Sequence, residues 1–242
     1  MEKFIKIDPH VHSSGISSCS HVTCEQIIDA KIELGYDGAI LTNHCQAWYY
    51  QPSEHTAFMQ RFVEEFYHGR KYATERGFRL LLGIEVSISD PFYSDWLLYG
   101  VTEEFLLRSP CLYQLNQKQL FALCQDNGVT LIQAHPFRAP MRPAEPKYMH
   151  GVEINCSTGD LIFKDAVLRF ASEENLLVVC GTDYHGKNPF VGGTYAPDGV
   201  QSGKDFGNYL ATAKETRIFF GEEEFTVQTP LGRSEKSLEI KD

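Results

Sequence analysis

Apolar segments of strand length recur along this chain, and stretches with helical periodicity separate most of them. This alternation is typical of α/β folds in which strand–helix units build a parallel sheet. The near-continuous apolarity of residues 80–86 and 176–180 predicts strands that are covered on both faces, as parallel strands are. The seven predicted strands span residues 4–7, 38–42, 80–86, 96–101, 129–133, 151–155 and 176–180.

Helical patterns fill most of the intervals between these strands. Thr23 to Gln26 has the sequence of a capping box, and Gly35 is a stop signal for the helix that begins there. Residues 186–207 are rich in Gly, Pro and Asp, which predicts a long loop. The predicted helices span residues 23–35, 53–76, 116–127 and 161–172.

Length and charge limit the organisation of the chain and its partners. A chain of 242 residues has a length typical of one α/β barrel, so we expect a single domain over residues 1–242. The net charge is -10 and Lys and Arg form no cluster, so we expect no general affinity for nucleic-acid backbones. Bound cations reverse the sign locally, so an acidic protein can still take an anionic substrate.

The cysteines and the hydropathy indicate an ordinary cytoplasmic protein. The seven cysteines are scattered and match neither a disulfide framework nor a paired zinc motif, so we expect reduced thiols. No apolar segment approaches the roughly 20 residues that span a bilayer, and the first residues contain no long apolar stretch. We therefore expect no membrane association and a cytoplasmic location.

Histidines and acids follow the predicted strands at their carboxyl ends, where parallel barrels build their sites. Alternate side chains of an extended segment share a face, so His10 and His12 can point at one ion. Asp183 and His185 have the same spacing. The residues at these strand ends are Asp8, His10, His12, His44, Glu85, His135, Asp183 and His185.

This set of side chains predicts a site for metal ions. One His-x-His pair is a weak signal, but five placements at strand ends are hard to obtain by chance. Imidazole combined with carboxylate suits zinc, manganese or iron, and a shared carboxylate such as Glu85 can bridge two ions. We therefore predict more than one divalent cation.

The order of these motifs resembles the PHP (polymerase and histidinol phosphatase) superfamily. The motifs are Asp-x-His-x-His at residues 8–12, Thr-x-His at 42–44, Gly-x-Glu at 83–85, His-Pro at 135–136 and Gly-Thr-Asp-x-His at 181–185. The resemblance implies a distorted, TIM-like (β/α)7 barrel with up to three metal ions at the carboxyl ends of its strands. It also implies the hydrolysis of phosphate esters.

The resemblance further implies how the ligands divide among the ions. The implied ligands of the first ion are His10, His12, Glu85 and Asp183. Glu85 then bridges to a second ion that also binds His135. The implied ligands of the third ion are His44, His185 and His21, which lies just before the first predicted helix. Among these residues Glu85 and Asp183 are the candidate catalytic groups.

The chain departs from the family pattern at two positions. Asn43 stands where many relatives have an aspartate, and this removes a charge that could orient the His44 imidazole. Many relatives also place a histidine in the fourth strand, where this chain has Asp95. Either Asp95 substitutes for that histidine or the second ion is weakly held.

Three further residues have expected roles around the ions. Arg138 and Arg142 follow His135 and can clamp a phosphate bidentately, although an arginine beside an acidic site can equally form a structural ion pair. Asp8 is expected to orient a ligand histidine without binding metal itself.

The leading functional hypothesis is hydrolysis of a phosphomonoester or a small phosphodiester by a metal-activated hydroxide. The expected ligand of the site is a small phosphorylated substrate or free phosphate. One alternative is the same chemistry on a carboxamide or another substrate without phosphate. A second alternative is a metal-stabilised binding domain that has lost turnover, which Asn43 and the missing histidine of the fourth strand support.

Overall fold

The computed structural model describes residues 3–157, 159–186 and 190–231 of the chain. The strands are β1 (Phe4–Val11), β2 (Gly38–Leu41), β3 (His44–Cys45), β4 (Arg79–Ile88), β5 (Ser94–Tyr99), β6 (Thr130–Gln133), β7 (Gly151–Asn155), β8 (Leu177–Gly181), β9 (Gly192–Pro197), β10 (Glu215–Phe220) and β11 (Glu223–Gln228). The α-helices are α1 (Cys24–Glu33), α2 (His55–Glu75), α3 (Glu103–Arg108), α4 (Gln117–Asp126), α5 (Lys164–Glu173) and α6 (Gly203–Thr212).

The predicted helices form where their capping residues and apolar stripes place them. The Thr23 side chain accepts a hydrogen bond from the Gln26 amide, and Gln26 accepts one from the Thr23 amide, so the predicted capping box begins α1. The aromatic stripe of α2, which includes Phe58, Phe62 and Phe66, is buried in the core. None of the α-helices in the described parts of the chain is long and apolar enough to cross a bilayer.

The sheet curls into a nearly closed barrel. Its strands follow the order β11-β10-β9-β1-β2-β4-β5-β6-β7-β8, and β3 pairs with β4. β1, β2 and β4 run parallel, as do β6, β7 and β8. Closure brings β1 beside the end of β8, where the His12 amide donates to the Tyr184 carbonyl at 3.0 Å and the Tyr184 amide donates to the His10 carbonyl at 3.2 Å. The fold is therefore a mixed α/β barrel.

The predicted (β/α)7 pattern is only partly confirmed, because β5 runs antiparallel to both of its neighbours. Residues 89–93 connect β4 to β5, and a connection of that length is too short for the helical crossover that parallel strands need. The beginning of β5 therefore lies at the end of the barrel where the parallel strands finish, which we call the mouth. There Asp95 pairs in register with Ser87 near the end of β4.

The prediction of a loop over residues 186–207 is wrong for half of its length, and residues 187–189 lie outside the described parts of the chain. The segment contains β9, which pairs antiparallel with β1 and β10, and the start of α6. Its glycines permit close packing. A Cβ atom at Gly193 would lie 2.3 Å from the Ile7 carbonyl oxygen, and one at Gly192 would lie 2.3 Å from Cys156 Sγ. The glycines thus serve tight strand contacts.

Candidate metal centre

The interior of the barrel changes from apolar to polar toward its mouth. On β4, Leu81 belongs to the inner apolar layer, and Glu85 lies four residues later on the same face. On β8, Val179 belongs to that layer and Gly181 follows it on the same face, just before Asp183. The strands whose inner faces form the apolar core therefore also place acidic and imidazole side chains together at the mouth of the barrel.

A bulge in β1 turns its two histidines inward. Simple alternation from Ile7, which is in the inner layer, would turn Val11 inward as well. The register between β1 and β2 shifts over residues 8–11, and Val11 packs in the outer core instead. His10 and His12 consequently share the inner face, where both side chains are completely buried.

The Glu85 carboxylate lies at the centre of the imidazoles. His10 Nε2 and His135 Nε2 lie 3.4 and 3.3 Å from Oε1. His12 Nε2 and His44 Nδ1 lie 3.4 and 2.8 Å from Oε2. Neither carboxylate oxygen has a hydrogen-bond partner among the described residues. Two oxygens that each face two imidazole nitrogens fit a carboxylate that bridges two cations.

Asp183 approaches the same histidines from the loop after β8. Its Oδ1 lies 3.4 Å from His10 Nε2 and 3.2 Å from His12 Nε2. Both Asp183 and His135 have backbones in the left-handed region, with φ values of 54° and 30°. That region is uncommon for residues other than glycine and costs free energy, which is typical of functional sites.

The ligand atoms form overlapping groups in which all members lie within 4.8 Å of one another. The groups are His10, His12 and Glu85; His10, His135 and Asp183; Glu85, Asp95 and His135; and His12, His44 and His185. The structure thus brings together all of the predicted metal ligands except His21, and it places with them Asp95, which the sequence offers as a substitute for the missing histidine of the fourth strand.

Several buried nitrogen and oxygen atoms at the centre have no hydrogen-bond partner among the described residues. Buried polar atoms are nearly always hydrogen-bonded, because an unpaired one costs about 1–3 kcal/mol. Among the described residues, all but one of the buried side-chain nitrogen and oxygen atoms without a partner belong to this cluster; His55 Nε2 is the exception. The unpartnered atoms of the cluster are His10 Nε2, both ring nitrogens of His12, His44 Nδ1, both carboxylate oxygens of Glu85, Asp95 Oδ1 and His135 Nδ1. Cations would satisfy the carboxylate oxygens and one nitrogen of each ring, because the other nitrogen of a neutral imidazole carries a proton.

The electrostatics keep the two central carboxylates and His12 in the forms that bind metal. Burial opposes ionisation of Glu85, but the imidazoles of His44 and His10 outweigh it and hold the pKa of Glu85 well below its usual range. Burial likewise opposes ionisation of Asp183, but His10, His12 and Arg138 together outweigh it and hold the pKa of that carboxyl well below its usual range. Burial, together with the nearby His44 and His185, lowers the pKa of His12. Ionised carboxylates and a neutral imidazole are the forms that bind metal. Burial opposes protonation of His10 and His44, but Glu85 and other neighbouring acids outweigh it and raise the pKa of both rings, so a cation has to displace a proton from each.

Glu153 is a buried residue of the site that sequence reasoning missed. His10 Nδ1 lies 2.7 Å from Glu153 Oε1, and the other oxygen accepts from the His135 amide at 3.2 Å and from Asn155 at 3.1 Å. The carboxylate thus holds one ligand ring and the backbone of a second ligand. The available signal was an acidic residue inside the apolar run of β7, with the alternating spacing Gly151-Val-Glu153-Ile-Asn155.

Asp8 contacts the backbone of His10 and not its ring. Its carboxylate accepts from the His10 amide at 3.3 Å and from the Thr182 amide and hydroxyl at 3.1 and 2.5 Å. It also pairs with the ammonium of the fully buried Lys31 at 2.5 Å. Asp8 therefore ties the ligand strand β1 to the loop that carries Asp183.

Asp95 lies where a fourth-strand ligand is needed. Its Oδ2 is 4.0 Å from His135 Nε2, and its Oδ1 is buried without a partner. Burial and the Glu85 carboxylate raise the pKa of Asp95, which is the expected effect of a second acid in the same pocket. The antiparallel direction of β5 brings Asp95 to this position, since it lies at the beginning of the strand.

The two arginines have different surroundings. Arg138 donates to Asp183 at 2.8 Å, to Asp160 at 2.6 Å and to Ser157 at 3.0 Å, and its side chain is 28% exposed. It therefore reaches a candidate ligand and keeps an exposed edge. Arg142 is exposed and stacks on the Phe92 ring at 4.4 Å from the ring centre.

The residues around the expected third ion differ from those that the sequence predicts. His21 is exposed and belongs to none of the ligand groups formed by the described residues; its amide donates to the His185 carbonyl at 3.1 Å. Cys19, which the sequence did not single out, lies with its sulfur 3.2 Å from His185 Nε2. Burial opposes the thiolate, but hydrogen bonds with His185 and His44 outweigh it and lower the pKa of Cys19 to about 5.

Solved structures share this fold. A two-domain protein from Bacteroides vulgatus, described as containing a predicted PHP-like metal-dependent phosphoesterase, matches 92% of this chain and 66% of its own length, with 20% identity and a TM-score of 0.62. PsfC from Pseudomonas syringae matches over 98% of both chains, with 15% identity and a TM-score of 0.66. The lesion-specific endonuclease EndoQ from Pyrococcus furiosus matches 89% of this chain and 58% of its own length, with 13% identity and a TM-score of 0.59.

At identities of 20% or less these likenesses show the fold alone, and one of the matching proteins is itself described as PHP-like, in agreement with the resemblance that the motifs indicate. The chain spans about two thirds of the Bacteroides protein and somewhat less of the endonuclease. No model of a protein family and no curated protein matches the sequence.

Proposed function

We propose that this protein hydrolyses phosphate esters at two or three divalent cations held around Glu85. The supporting observation is the set of buried ring nitrogens and carboxylate oxygens that face one another without hydrogen-bond partners. Zinc, manganese and iron suit that mixture of ligands. The substrate is a phosphomonoester or a small phosphodiester, and residues 1–242 form the one domain that carries the site.

The residues divide the work of the site. His10, His12 and Asp183 would hold one cation together with Glu85, and Glu85, His135 and Asp95 would hold a second. Divalent cations supply such a site with a water molecule of lowered pKa and with positive charge opposite the phosphoryl oxygens.

Arg138 and the backbone contacts complete the positioning. The exposed edge of the Arg138 guanidinium binds a phosphoryl oxygen while its other nitrogens hold Asp183 and Asp160. Glu153 and Asp8 keep the strands that carry these residues in place.

The test combines metal analysis with a substrate panel. Protein purified without chelators is analysed for zinc, manganese and iron, and is assayed with an aryl phosphate, a bis-aryl phosphate and a single-stranded oligonucleotide. We expect at least two equivalents of metal and turnover of one of the two aryl substrates. Glu85→Gln should lose activity by at least about 100-fold, since even groups behind a metal ligand are worth 10–100-fold.

His68→Ala is the matched control, because His68 is exposed on α2 and lies outside the cluster. It should retain full metal content and activity. Less than one equivalent of metal in the wild-type protein, or equal rates for Glu85→Gln and wild type, would overturn the proposal. Turnover of the oligonucleotide alone would replace the small-substrate assignment with a nuclease.

A further inference from the structure

Three imidazoles form one of the ligand groups, and two of them, His44 and His185, are partly exposed. His12, His44 and His185 offer ring nitrogens within 4.8 Å of one another. His12 is fully buried, and neither of its ring nitrogens has a hydrogen-bond partner among the described residues. The rings of His44 and His185 stack on it, with centroids 4.3 and 4.4 Å away. The group has imidazoles but no carboxylate of its own.

The hydrogen bonding of His185 determines which of its nitrogens can bind a cation. Its Nδ1 lies 2.8 Å from the Asp183 carbonyl oxygen, which can only accept, so Nδ1 carries the proton. The lone pair of the ring is therefore on Nε2. That nitrogen faces the Cys19 sulfur at 3.2 Å, and the sulfur also interacts electrostatically with the His44 ring.

The loop that carries Cys19 is fixed to the ligand strands. The Ser20 hydroxyl donates to the His12 carbonyl at 2.7 Å. The Ser17 hydroxyl donates to Asn43 at 2.9 Å and accepts from the His44 amide at 3.0 Å. Asn43, which replaces the aspartate of many relatives, thus anchors this loop. The sulfur is held at the mouth beside the two rings.

We propose that Cys19 is a sulfur ligand of a third cation bound by His44 and His185, in the position that sequence reasoning gave to His21. This inference rests on the proposed metal cluster. Tetrahedral zinc, with bonds of about 2.3 Å to sulfur and about 2.0 Å to nitrogen, places the two ligand atoms about 3.5 Å apart. The observed separation of 3.2 Å is within a few tenths of an ångström of that value.

The sulfur ligand sets the metal preference of this position. Thiolate with imidazole selects zinc or iron(II), whereas carboxylate-rich sites also accept manganese and magnesium. The outer position is therefore specific for a softer cation than the inner pair of positions around Glu85.

Cobalt(II) substitution tests whether Cys19 is a metal ligand, because sulfur bound to cobalt(II) has a characteristic absorption band that can be measured without an activity assay. Metal-free protein is loaded with cobalt(II), and its near-ultraviolet sulfur-to-cobalt charge-transfer band is recorded with the bound stoichiometry. Wild type should show the band, and Cys19→Ala should lose both the band and one equivalent of cobalt. Cys19→His should lose the band and keep the equivalent.

Two variants serve as controls for the thiol and for the rival histidine. Cys111→Ala removes a cysteine that contacts Tyr50 and not the histidines of the cluster, and His21→Ala removes the histidine expected from the sequence; both should keep the band and the full stoichiometry. A band that persists in Cys19→Ala overturns the inference, as does its absence from wild type with two or more bound equivalents. Failure to bind cobalt at all would instead overturn the proposed function.

Discussion

His10 donates through Nδ1 to Glu153 Oε1 at 2.7 Å, and neither side chain is exposed to solvent. A proton on Nδ1 leaves the lone pair on Nε2, so this bond decides which nitrogen faces Glu85 and Asp183. The second oxygen of Glu153 accepts from the His135 amide. One acid therefore positions two of the candidate ligands from behind.

Replacing Glu153 by glutamine should lower zinc affinity by about 10–100-fold, because the amide no longer holds the His10 ring with a charge-assisted bond. Competition with a chromophoric chelator measures the affinity. Glu173→Gln, on the exposed side of α5, is the control and should match wild type. Equal affinity in Glu153→Gln and wild type would contradict the assignment.

Asp95→Asn should reduce the number of tightly bound ions by one. The second position contains Glu85, His135 and Asp95, and an amide is a much weaker ligand than a carboxylate. Metal content after gel filtration gives the stoichiometry, and Asp95→His should restore it. Asp126→Asn, exposed at the end of α4, is expected to change nothing. If Asp95→Asn binds as many equivalents of metal as wild type, Asp95 is not a ligand of the second position.

Arg138→Ala should weaken inhibition by inorganic phosphate by about 10–100-fold, which corresponds to one or two charge-assisted hydrogen bonds. The metal content should be unchanged. If Arg138 only positions Asp183, which it contacts at 2.8 Å, the opposite pattern results: metal is lost and the phosphate inhibition constant stays the same. Arg76→Ala is the control, because it removes an ion pair with Asp29 on the surface, just after the last residue of α2.

The stability of the protein should depend on His150 below neutral pH. Its Nδ1 accepts the Leu131 amide at 2.9 Å, and burial lowers the pKa of His150 below its unfolded value of about 6.5. The unfolded chain therefore binds the proton more readily, so the free energy of unfolding falls as pH falls through the folded pKa. Denaturant unfolding from pH 7 to 5 should show a steeper loss for wild type than for His150→Asn. Parallel curves would exclude this contribution.

The strands could be predicted from the sequence because their apolar runs determine them locally. All seven expected strands form, because runs such as residues 80–86 are buried on both faces. The direction of β5 was missed, although the five residues between β4 and β5 leave no room for a helix. β9 was missed for another reason: its glycines, which look like loop residues, serve close contacts with β1 that only the folded sheet reveals.

The cluster of candidate ligands around Glu85 could be predicted from the sequence, but the residues that position this cluster could not. His10, His12, Glu85, His135 and Asp183 come together as motif spacing implies, since strand ends of one barrel converge. Glu153 and Lys31 act through contacts more than a hundred residues away in sequence, which no local pattern shows. His21 and Cys19 are two residues apart in a loop, and only its folded path decides which one reaches the histidines.

The left-handed backbones of His135 and Asp183 have a consequence for metal exchange. Their conformational cost is met during folding, so these two ligands need little reorganisation when an ion arrives. A rigid cage of this kind discriminates among ions by size and bond length. Cations that differ in radius should therefore fill the inner positions with different affinities but leave the barrel itself unmoved.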